Sequence, residues 1–292
     1  MIGESHLEGT MLVMTLCPVI LFADRSIKDV DLIASTLEEG LSDVVNLLSP
    51  DNPESNSAAF AIAIGGDGTL INHGRTLSKL DIPLVGVNSG RLGFLAKFDA
   101  KSLIAHRNSV FKTNPDTVRV MLLDISIDNQ EPSIAMNEAM IASGAPFRIL
   151  ELGLSIDGVP APTLRGDGVI IATPTGSTAH NASAGGPIVD PSANAFILTP
   201  IAAHSLAVRP IVLDGKANIT VEVLQANDGT SLVIDGQVHC TMKQGMKIQV
   251  QQSSQSLSIV LNPSCSYWNT LVDKLHWAAP PDFSDSISLQ EK

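Results

Sequence analysis

A short apolar segment that runs directly into a glycine-rich pentapeptide constrains this chain more than any other feature. Residues Phe60–Ile64 are all apolar, and Gly65-Gly66-Asp67-Gly68-Thr69 follow without a break. Glycines at the end of a strand lack a Cβ, so backbone N–H groups can approach a phosphate closely. The Asp67 carboxylate can take a proton from an attacking hydroxyl or help to hold Mg²⁺. A tight turn with an Asx hydrogen bond is the alternative, but three glycines around one aspartate favour a phosphate site.

The segments around this motif alternate between strand and helix patterns. Residues 11–22 form an apolar run that is too short to cross a bilayer, and we expect a first core strand there. Six apolar residues then recur at steps of three and four, which predicts one helix face: Val30, Ile33, Leu37, Leu41, Val44 and Leu48. A second helix is predicted to run to Leu80, followed by a buried strand over residues 83–87. This alternation predicts a parallel sheet with helical crossovers, a Rossmann-like α/β domain over residues 1–115.

The pattern changes after residue 115. Apolar and polar residues alternate over residues 150–156, 219–223 and 247–251, and Asp157-Gly158 and Asn227-Asp228-Gly229 supply turns. Short strands between turns predict an all-β domain, an antiparallel β-sandwich over residues 116–262. Residues 263–292 are predicted to form a helix and a polar tail that pack back on the N-terminal domain. We expect the active site in the cleft between the two domains.

Composition limits the partners and the location of the protein. The formal net charge of the 292 residues is −12 and no run of Lys or Arg is present, so we expect no nucleic-acid partner. Cys17, Cys240 and Cys265 are far apart and odd in number, which fits reduced thiols better than a disulfide framework or a metal site. Acidic Glu4 and Glu8 precede the first apolar run, where a secretory signal carries positive charge. These features predict a cytoplasmic protein without a membrane partner.

A second block of small residues indicates what the phosphate site acts on. Arg165-Gly166-Asp167-Gly168 leads into an apolar strand, and a long segment of Gly, Ser, Thr and Ala follows over residues 173–187. Such a segment offers many backbone and hydroxyl hydrogen bonds in a small space, which suits a purine and its ribose better than a bulky lipid. A surface loop of small residues is the alternative.

The pentapeptide resembles the phosphate-handling motif that NAD kinases share with diacylglycerol and sphingosine kinases and with 6-phosphofructokinases. Over nearly its full length the chain resembles the NAD kinase family specifically. The further matching blocks are Asn88-Ser89-Gly90-Arg91-Leu92-Gly93-Phe94, Met136-Asn137-Glu138-Ala139, residues 165–191, Asp235-Gly236 and Leu275-His276-Trp277. The resemblance implies transfer of the γ-phosphoryl group of ATP to the 2′-hydroxyl of the adenosine ribose of NAD, giving NADP, with Mg²⁺ as the metal. No Walker-type Gly-Lys-Ser/Thr element is present in the sequence.

The resemblance also implies roles for individual residues. Asp67 is the essential aspartate near the reacting hydroxyl, as general base or organiser of the phosphoryl group, and is the one implied direct ligand of Mg²⁺. The phosphates of ATP are expected to contact Gly65, Gly66, Gly68, Thr69 and Arg91. Asn137 and Glu138 contact the adenosine, with Glu138 toward the ribose hydroxyls, because a carboxylate accepts bonds from two vicinal hydroxyls. The other expected NAD contacts are Gly68, Phe94, Arg165, Asp167, Thr178, Ala179, His180, Ser183, Ala202 and Gln237.

Some of these positions have simpler interpretations. Phe94 can be ordinary core packing, Asn137-Glu138 can be a polar strand end, and Arg91 and Arg165 can be surface ion-pair partners. His180 stands where the family usually has a tyrosine that stacks on the nucleobase; an imidazole covers less area and can become charged.

Family members build part of the adenine pocket across subunits, which implies a homodimer or homotetramer. The rival functions are a lipid kinase of the same superfamily and a non-catalytic dinucleotide sensor.

Overall fold

A computed structural model describes residues 16–90, 93–128, 130–146 and 148–278. The strands are β1 Cys17–Phe22, β2 Val45–Leu48, β3 Phe60–Ile64, β4 Leu84–Val87, β5 Thr117–Ile127, β6 Ser133–Ala135, β7 Glu138–Ala142, β8 Leu150–Ile156, β9 Val159–Gly166, β10 Gly168–Ala172, β11 Ala195–Ile201, β12 Ile211–Asp214, β13 Ile219–Gln225, β14 Ser231–Ile234, β15 Gln237–Thr241 and β16 Lys247–Val260. The helices are α1 Lys28–Gly40, α2 Asp67–Leu80, α3 Ala100–Ala105, α4 Arg107–Val110, α5 His180–Ser183 and α6 Tyr267–Leu275.

The N-terminal strands form a parallel sheet in the order β2-β1-β3-β4. Alternate residues of these strands face opposite sides, so α1 packs with Val19 and Leu21 while α2 packs with Ile20. The predicted parallel α/β arrangement is confirmed. The chain leaves β1 toward β2 on one side and returns to β3 on the other, so the strand order reverses between β1 and β3. Ligands of such sheets bind outside the carboxyl ends of the strands at this reversal.

The predicted helix face through Leu48 is wrong beyond Gly40, because Leu41, Val44 and Leu48 lie outside the helix. Helix α1 ends at Gly40, the Leu41 N–H bonds back to the Leu37 carbonyl, and residues 45–48 form edge strand β2 in parallel register with β1. Val45 and Leu48 are buried while Asn46 is exposed. A spacing of three and four cannot distinguish a continuing helix from a short strand whose hydrogen-bond partner is distant in sequence.

Strand β16 joins the two halves of the molecule. It pairs antiparallel with β5 and β13, and near its end Ile259 pairs in parallel with Leu84 of β4. The sequence pattern predicted only residues 247–251 as strand, whereas β16 is 14 residues long. The parallel sheet therefore continues into β13, β8 and β9, and the proposed domain boundary at residue 115 falls between α4 and β5.

The second sheet has six antiparallel strands in the order β12-β11-β10-β7-β14-β15. Its inner face packs against β5, β8, β13 and β16 across one apolar core that includes Leu152, Val221, Ile141, Ile171 and Leu198. The predicted antiparallel β-sandwich is confirmed.

The segment after β16 contacts the N-terminal half. The Asn262 amide donates to the Lys97 carbonyl at 2.8 Å, and the His106 ring contacts the Ser264 hydroxyl at 2.7 Å. These contacts support the predicted packing of the C-terminal helix on that half; the polar tail beyond residue 278 lies outside the described residues. No helix in the described part of the chain is long and apolar enough to cross a membrane.

Candidate functional site

The glycine motif lies at the carboxyl end of β3, where the sheet order reverses. Gly66 precedes α2 and Asp67 begins it, so the Asp67 and Gly68 N–H groups have no acceptor within the helix and can bind an anion, whereas the Thr69 N–H bonds to the Gly66 carbonyl at 3.0 Å. A Cβ at Gly66 or Gly68 would meet open space, whereas one at Gly65 would lie 2.6 Å from the Thr69 hydroxyl oxygen. Gly65 is therefore required by close packing, while Gly66 and Gly68 leave the loop surface accessible.

The Asp67 carboxylate holds a distant turn against the start of α2. Its Oδ2 accepts the Phe94 N–H at 2.9 Å, and its Oδ1 accepts the Leu95 and Ala96 N–H groups at 3.0 and 3.2 Å. A Cβ at Gly93 would lie 2.0 Å from Oδ1, so only glycine fits there. The carboxylate thus makes no local Asx turn, and Oδ2, with one hydrogen bond, keeps acceptor capacity for a ligand.

A cavity of about 590 Å³ opens beside the motif at the carboxyl ends of β1 and β3. Gly65, Gly66 and Thr69 line one part of it, and Phe22, Ile27 and His73 line another. Its volume is in the range of ligand pockets, and its position is the one that the sheet topology favours. Arg91, an expected phosphate contact, lies outside the described residues.

Asp235 fixes the backbone of the Asn137-Glu138 block. Asp235 and Gly236 both have positive φ, 47° and 77°, and form the two-residue turn between β14 and β15. The fully buried Asp235 carboxylate accepts the N–H groups of Met136, Asn137 and Glu138, the shortest at 2.7 Å. Burial raises the pKa of Asp235, and the three N–H donors oppose that rise. The resemblance marked Asp235-Gly236 without a role; the structure shows that Asp235 positions the neighbouring block.

Glu138 begins β7 with its side chain only 2% exposed. Its Oε1 lies 2.8 Å from His180 Nδ1, and its Oε2 is buried with no hydrogen-bond partner among the described residues. Burial raises the pKa of Glu138 and the hydrogen bond to His180 opposes the rise. A buried polar atom without a partner costs about 1–3 kcal/mol, so this oxygen marks a place where a ligand donor can be accommodated.

The segment of small residues is held firmly against this block. The Thr173 hydroxyl donates to the Met136 carbonyl at 2.7 Å, and a Cβ at Gly176 would lie 2.1 Å from the Asn137 carbonyl oxygen. Buried Asn181 donates to the carbonyls of Ser177 and Pro187. A loosely attached surface loop does not make such contacts.

The structure therefore gathers one group of expected NAD-binding residues around Glu138: Asn137, Thr178, Ala179, His180 and Ser183. Gln237 follows the Asp235-Gly236 turn, and a Cβ at Gly236 would lie 3.5 Å from the His180 ring. Gln237 thus adjoins the same group. The His180 side chain is 52% exposed and can present a ring face while its Nδ1 contacts Glu138.

A second group lies at the opposite end of β10. Ala172 pairs with Glu138, whereas Asp167 precedes Gly168 at the other end, about 16 Å away at 3.3 Å per residue. Ala202 is close to Asp167, because the Asp167 N–H bonds to the carbonyl of Ile201. Arg165 is 64% exposed and pairs with Glu151 at 3.0 Å, which is the surface ion pair considered as its alternative. Within one chain these three residues are separate from Glu138.

Lys97 is a buried cation that the sequence interpretation missed. It is 8% exposed and its Nζ lies 5.8 Å from the centre of the Tyr267 ring. Burial lowers the pKa of Lys97. A cavity of about 20 Å³, enough for one water, adjoins it with Phe94, Thr175 and Tyr267, and the hydroxyls of the last two are buried without a partner in the described chain. The sequence feature that could have revealed this buried lysine is a single charged residue within the otherwise apolar stretch 94–98.

Comparison with known proteins identifies related sequences. The model of the "ATP-NAD kinase N-terminal domain" matches residues 44–114, and that of the "ATP-NAD kinase C-terminal domain" matches residues 136–261. An NAD kinase of Rhodopirellula baltica is 36% identical over 223 residues, which cover 75% of this chain and 72% of the relative. An NAD kinase of Geotalea daltonii is 36% identical over 231 residues, 78% of this chain and 81% of the relative.

Two solved structures share the fold. A yeast NADH kinase complexed with NADH has a TM-score of 0.82 at 22% identity, covering 92% of this chain and 90% of its own. An NAD kinase from Archaeoglobus fulgidus in complex with ATP has a TM-score of 0.70 at 27% identity, covering 89% and 98%. The first likeness, at this low identity, concerns the fold alone.

Proposed function

This chain belongs to the NAD kinase family and so phosphorylates NAD to NADP, and we propose that ATP with Mg²⁺ binds at the glycine motif while the adenosine ribose of NAD binds at Glu138. The observation that carries the acceptor assignment is the buried, unpartnered Oε2 of Glu138 beside the segment 173–187. A ribose hydroxyl donates the hydrogen bond that this oxygen lacks. Asn137 then contacts the base edge, and Phe94 faces the second nucleoside.

The donor phosphates are assigned to Gly65, Gly66, Gly68 and Thr69. Gly65, Gly66 and Thr69 line the cavity at the carboxyl ends of β1 and β3, next to the start of α2, which is where an open α/β sheet binds nucleotides. Phosphoryl transfer needs positioning and charge stabilisation more than covalent chemistry from the protein. A fixed loop with open glycine positions supplies both.

Asp67 is assigned as the group that orients or deprotonates the attacking 2′-hydroxyl. Its Oδ1 is fully used in holding the 93–96 turn, so Oδ2 is the oxygen available to the substrate. The same bonds fix the carboxylate in one orientation, which spares the reaction the cost of ordering it. Asp67 also couples the glycine motif to Phe94, and hence the donor side of the site to the acceptor side.

The residues present fit a metal that arrives with its nucleotide. No cluster of three or more His, Cys, Asp or Glu side chains suited to a metal occurs among the described residues. Mg²⁺ is commonly held by one or two carboxylates plus the substrate phosphates, and Asp67 Oδ2 offers one such ligand. When bound, Mg²⁺ neutralises charge on the phosphates.

A homodimer or homotetramer completes the adenine pocket in this proposal. Asp167 and Ala202 lie about 16 Å from the Glu138 end of β10, too far to contact a nucleoside that Glu138 of the same chain binds. If they contact adenosine, they do so in a neighbouring subunit. Light scattering that shows a fully active monomer at assay concentration would contradict this arrangement.

The three free cysteines agree with the expected cytoplasmic location.

The direct test is to incubate the purified protein with ATP, Mg²⁺ and NAD and to measure NADP with an NADP-specific dehydrogenase. We expect NADP only when all three are present, and none after chelation of the metal. Absence of NADP over a range of donors would refute the proposal in favour of a dinucleotide sensor. Phosphorylation of a lipid instead of NAD would favour the lipid-kinase alternative.

A further inference from the structure

His73 lies beside the glycine motif but has no role in the mechanism above. It is one helical turn beyond Thr69 on α2, so the two side chains lie on the same face of the helix. Its ring stacks on the ring of Phe22, the last residue of β1, with centroids 4.1 Å apart and planes inclined by 22°. Both rings line the cavity of about 590 Å³, and both are half-buried. The pair thus lines the space next to the proposed phosphate site with aromatic surface.

The rest of this part of the cavity is apolar. Leu21, Ile27, Val30 and Pro50 contribute to its wall, and Ile27 stays 52% exposed although it is a large apolar side chain. Among the described lining residues Asp24 is the one charged group beside the half-buried His73, and no Lys or Arg is among them. Burial lowers the pKa of His73, so its imidazole is neutral at pH 7. Apart from Asp24 this wall is apolar and aromatic and carries no positive charge, so it offers little to a chain of phosphates and much to a heterocyclic ring.

We propose that the Phe22–His73 pair is the base subsite of the phosphoryl donor. The purine of a nucleoside triphosphate packs against this pair while its phosphates lie at Gly65, Gly66 and Thr69, within one continuous cavity. The inference rests on the proposed donor site, and it assigns a donor class: nucleoside triphosphates bind more tightly than base-free polyphosphates of the same length.

The test compares His73→Ala, which removes the ring, with His73→Phe, which keeps an aromatic surface. Asn72→Ala is the matched control, because Asn72 is an exposed neighbour on the same helix and does not line the cavity. Loss of base stacking should raise the KM for ATP by at least about fivefold in His73→Ala, with the KM for NAD unchanged. His73→Phe and Asn72→Ala should stay within about twofold of the parent. Phe22→Leu, which also removes a ring, serves if His73→Ala fails to fold.

Inorganic tripolyphosphate is the base-free probe. Its inhibition constant against ATP should be the same in the parent and in His73→Ala, because it makes no contact with the pair. Equal weakening of ATP and tripolyphosphate would show that the substitution disturbs the glycine motif, and an unchanged KM for ATP in His73→Ala would also overturn the proposal. If the parent makes no NADP, the proposed function fails; ATP binding measured by calorimetry with the same variants still decides the base subsite.

Discussion

Replacing Glu138 with glutamine should stabilise the free protein and weaken its binding of NAD. The carboxylate is 2% exposed, and one of its two oxygens has no partner among the described residues. Burial outweighs the hydrogen bond from His180, so the pKa of Glu138 is raised and the charged form is disfavoured in the folded protein. A neutral amide of nearly the same shape removes that charge.

The size of the gain follows from two opposing contributions. Burying an ion costs several kcal/mol in real proteins, whereas weakening the His180 hydrogen bond from a charged to a neutral one loses about 1 kcal/mol. The amide still leaves one group unpartnered, so the net gain is about 1–2 kcal/mol. For a chain of this size that corresponds to a rise of about 2–6 °C in the unfolding midpoint.

The gain must depend on pH in one direction. When folding raises the pKa of a carboxyl, the ionised group destabilises the folded protein by its full amount at pH values above the folded pKa. This destabilisation shrinks as the pH falls through the folded pKa. Below the ordinary value of 4.5 the carboxyl is protonated in both the folded and unfolded states, so the penalty is gone. The difference in midpoint between Glu138→Gln and the parent should therefore be largest near pH 7 and vanish near pH 4.

Thermal unfolding of both proteins from pH 4 to pH 8, with KM measurements at pH 7.5, tests this. Glu222→Gln is the control, because Glu222 lies in an exposed ion pair with Lys247 and should change stability by less than about 0.5 kcal/mol. The KM for NAD should rise about fivefold or more in Glu138→Gln as a charged acceptor becomes neutral. A lower unfolding midpoint for Glu138→Gln than for the parent at pH 7 would refute the idea that the buried charge of Glu138 destabilises the protein. An unchanged KM for NAD with a reduced kcat would show that Glu138 acts in catalysis and not in NAD binding.

Substitutions at three further residues test other parts of the site. Asp67→Asn should lower kcat by about 10² or more with NAD binding nearly intact, and should also lower the unfolding midpoint slightly, since an amide cannot accept all three N–H bonds; activity within threefold of the parent would contradict the assignment. Lys97→Met should raise the midpoint at pH 7, because burial lowers the pKa of Lys97, and the difference should close as pH rises from that lowered pKa toward 10.5; a difference independent of pH would exclude this cause. If the His180 ring stacks on the base, His180→Tyr should keep or improve NAD affinity, and His180→Ala should weaken it by about 1–3 kcal/mol in equilibrium binding. Equal NAD binding by the alanine variant and the parent would show that the ring does not contact the base.

Much of the fold could be predicted because the signals are local. An unbroken apolar run gave β3 with the bounds observed, and residues with fixed turn preferences marked the turns at Asp157-Gly158 and Asn227-Asp228-Gly229. The residues of the Asn137-Glu138 block and of the segment 173–187 were also identified from sequence. Their expected contacts with substrate stay a prediction, because no ligand contact can be derived from spacing alone.

Contacts between residues far apart in the chain could be identified only from the tertiary structure. Whether residues 45–48 form helix or strand depended on an available edge at β1, and β16 extended because β5 pairs with it over residues 248–260. Asp67 reaches a turn 27–29 residues away and Asp235 reaches a block 97–99 residues away, without a local pattern to announce either.

The sequence by itself thus determined which residue types are available and the period of each element, because backbone geometry repeats over a few residues. Only the tertiary structure decided which carboxylate oxygen stays free, which lysine is buried and which histidine meets an aromatic ring. Those properties depend on burial and on hydrogen-bond partners, and both are set when distant segments pack together.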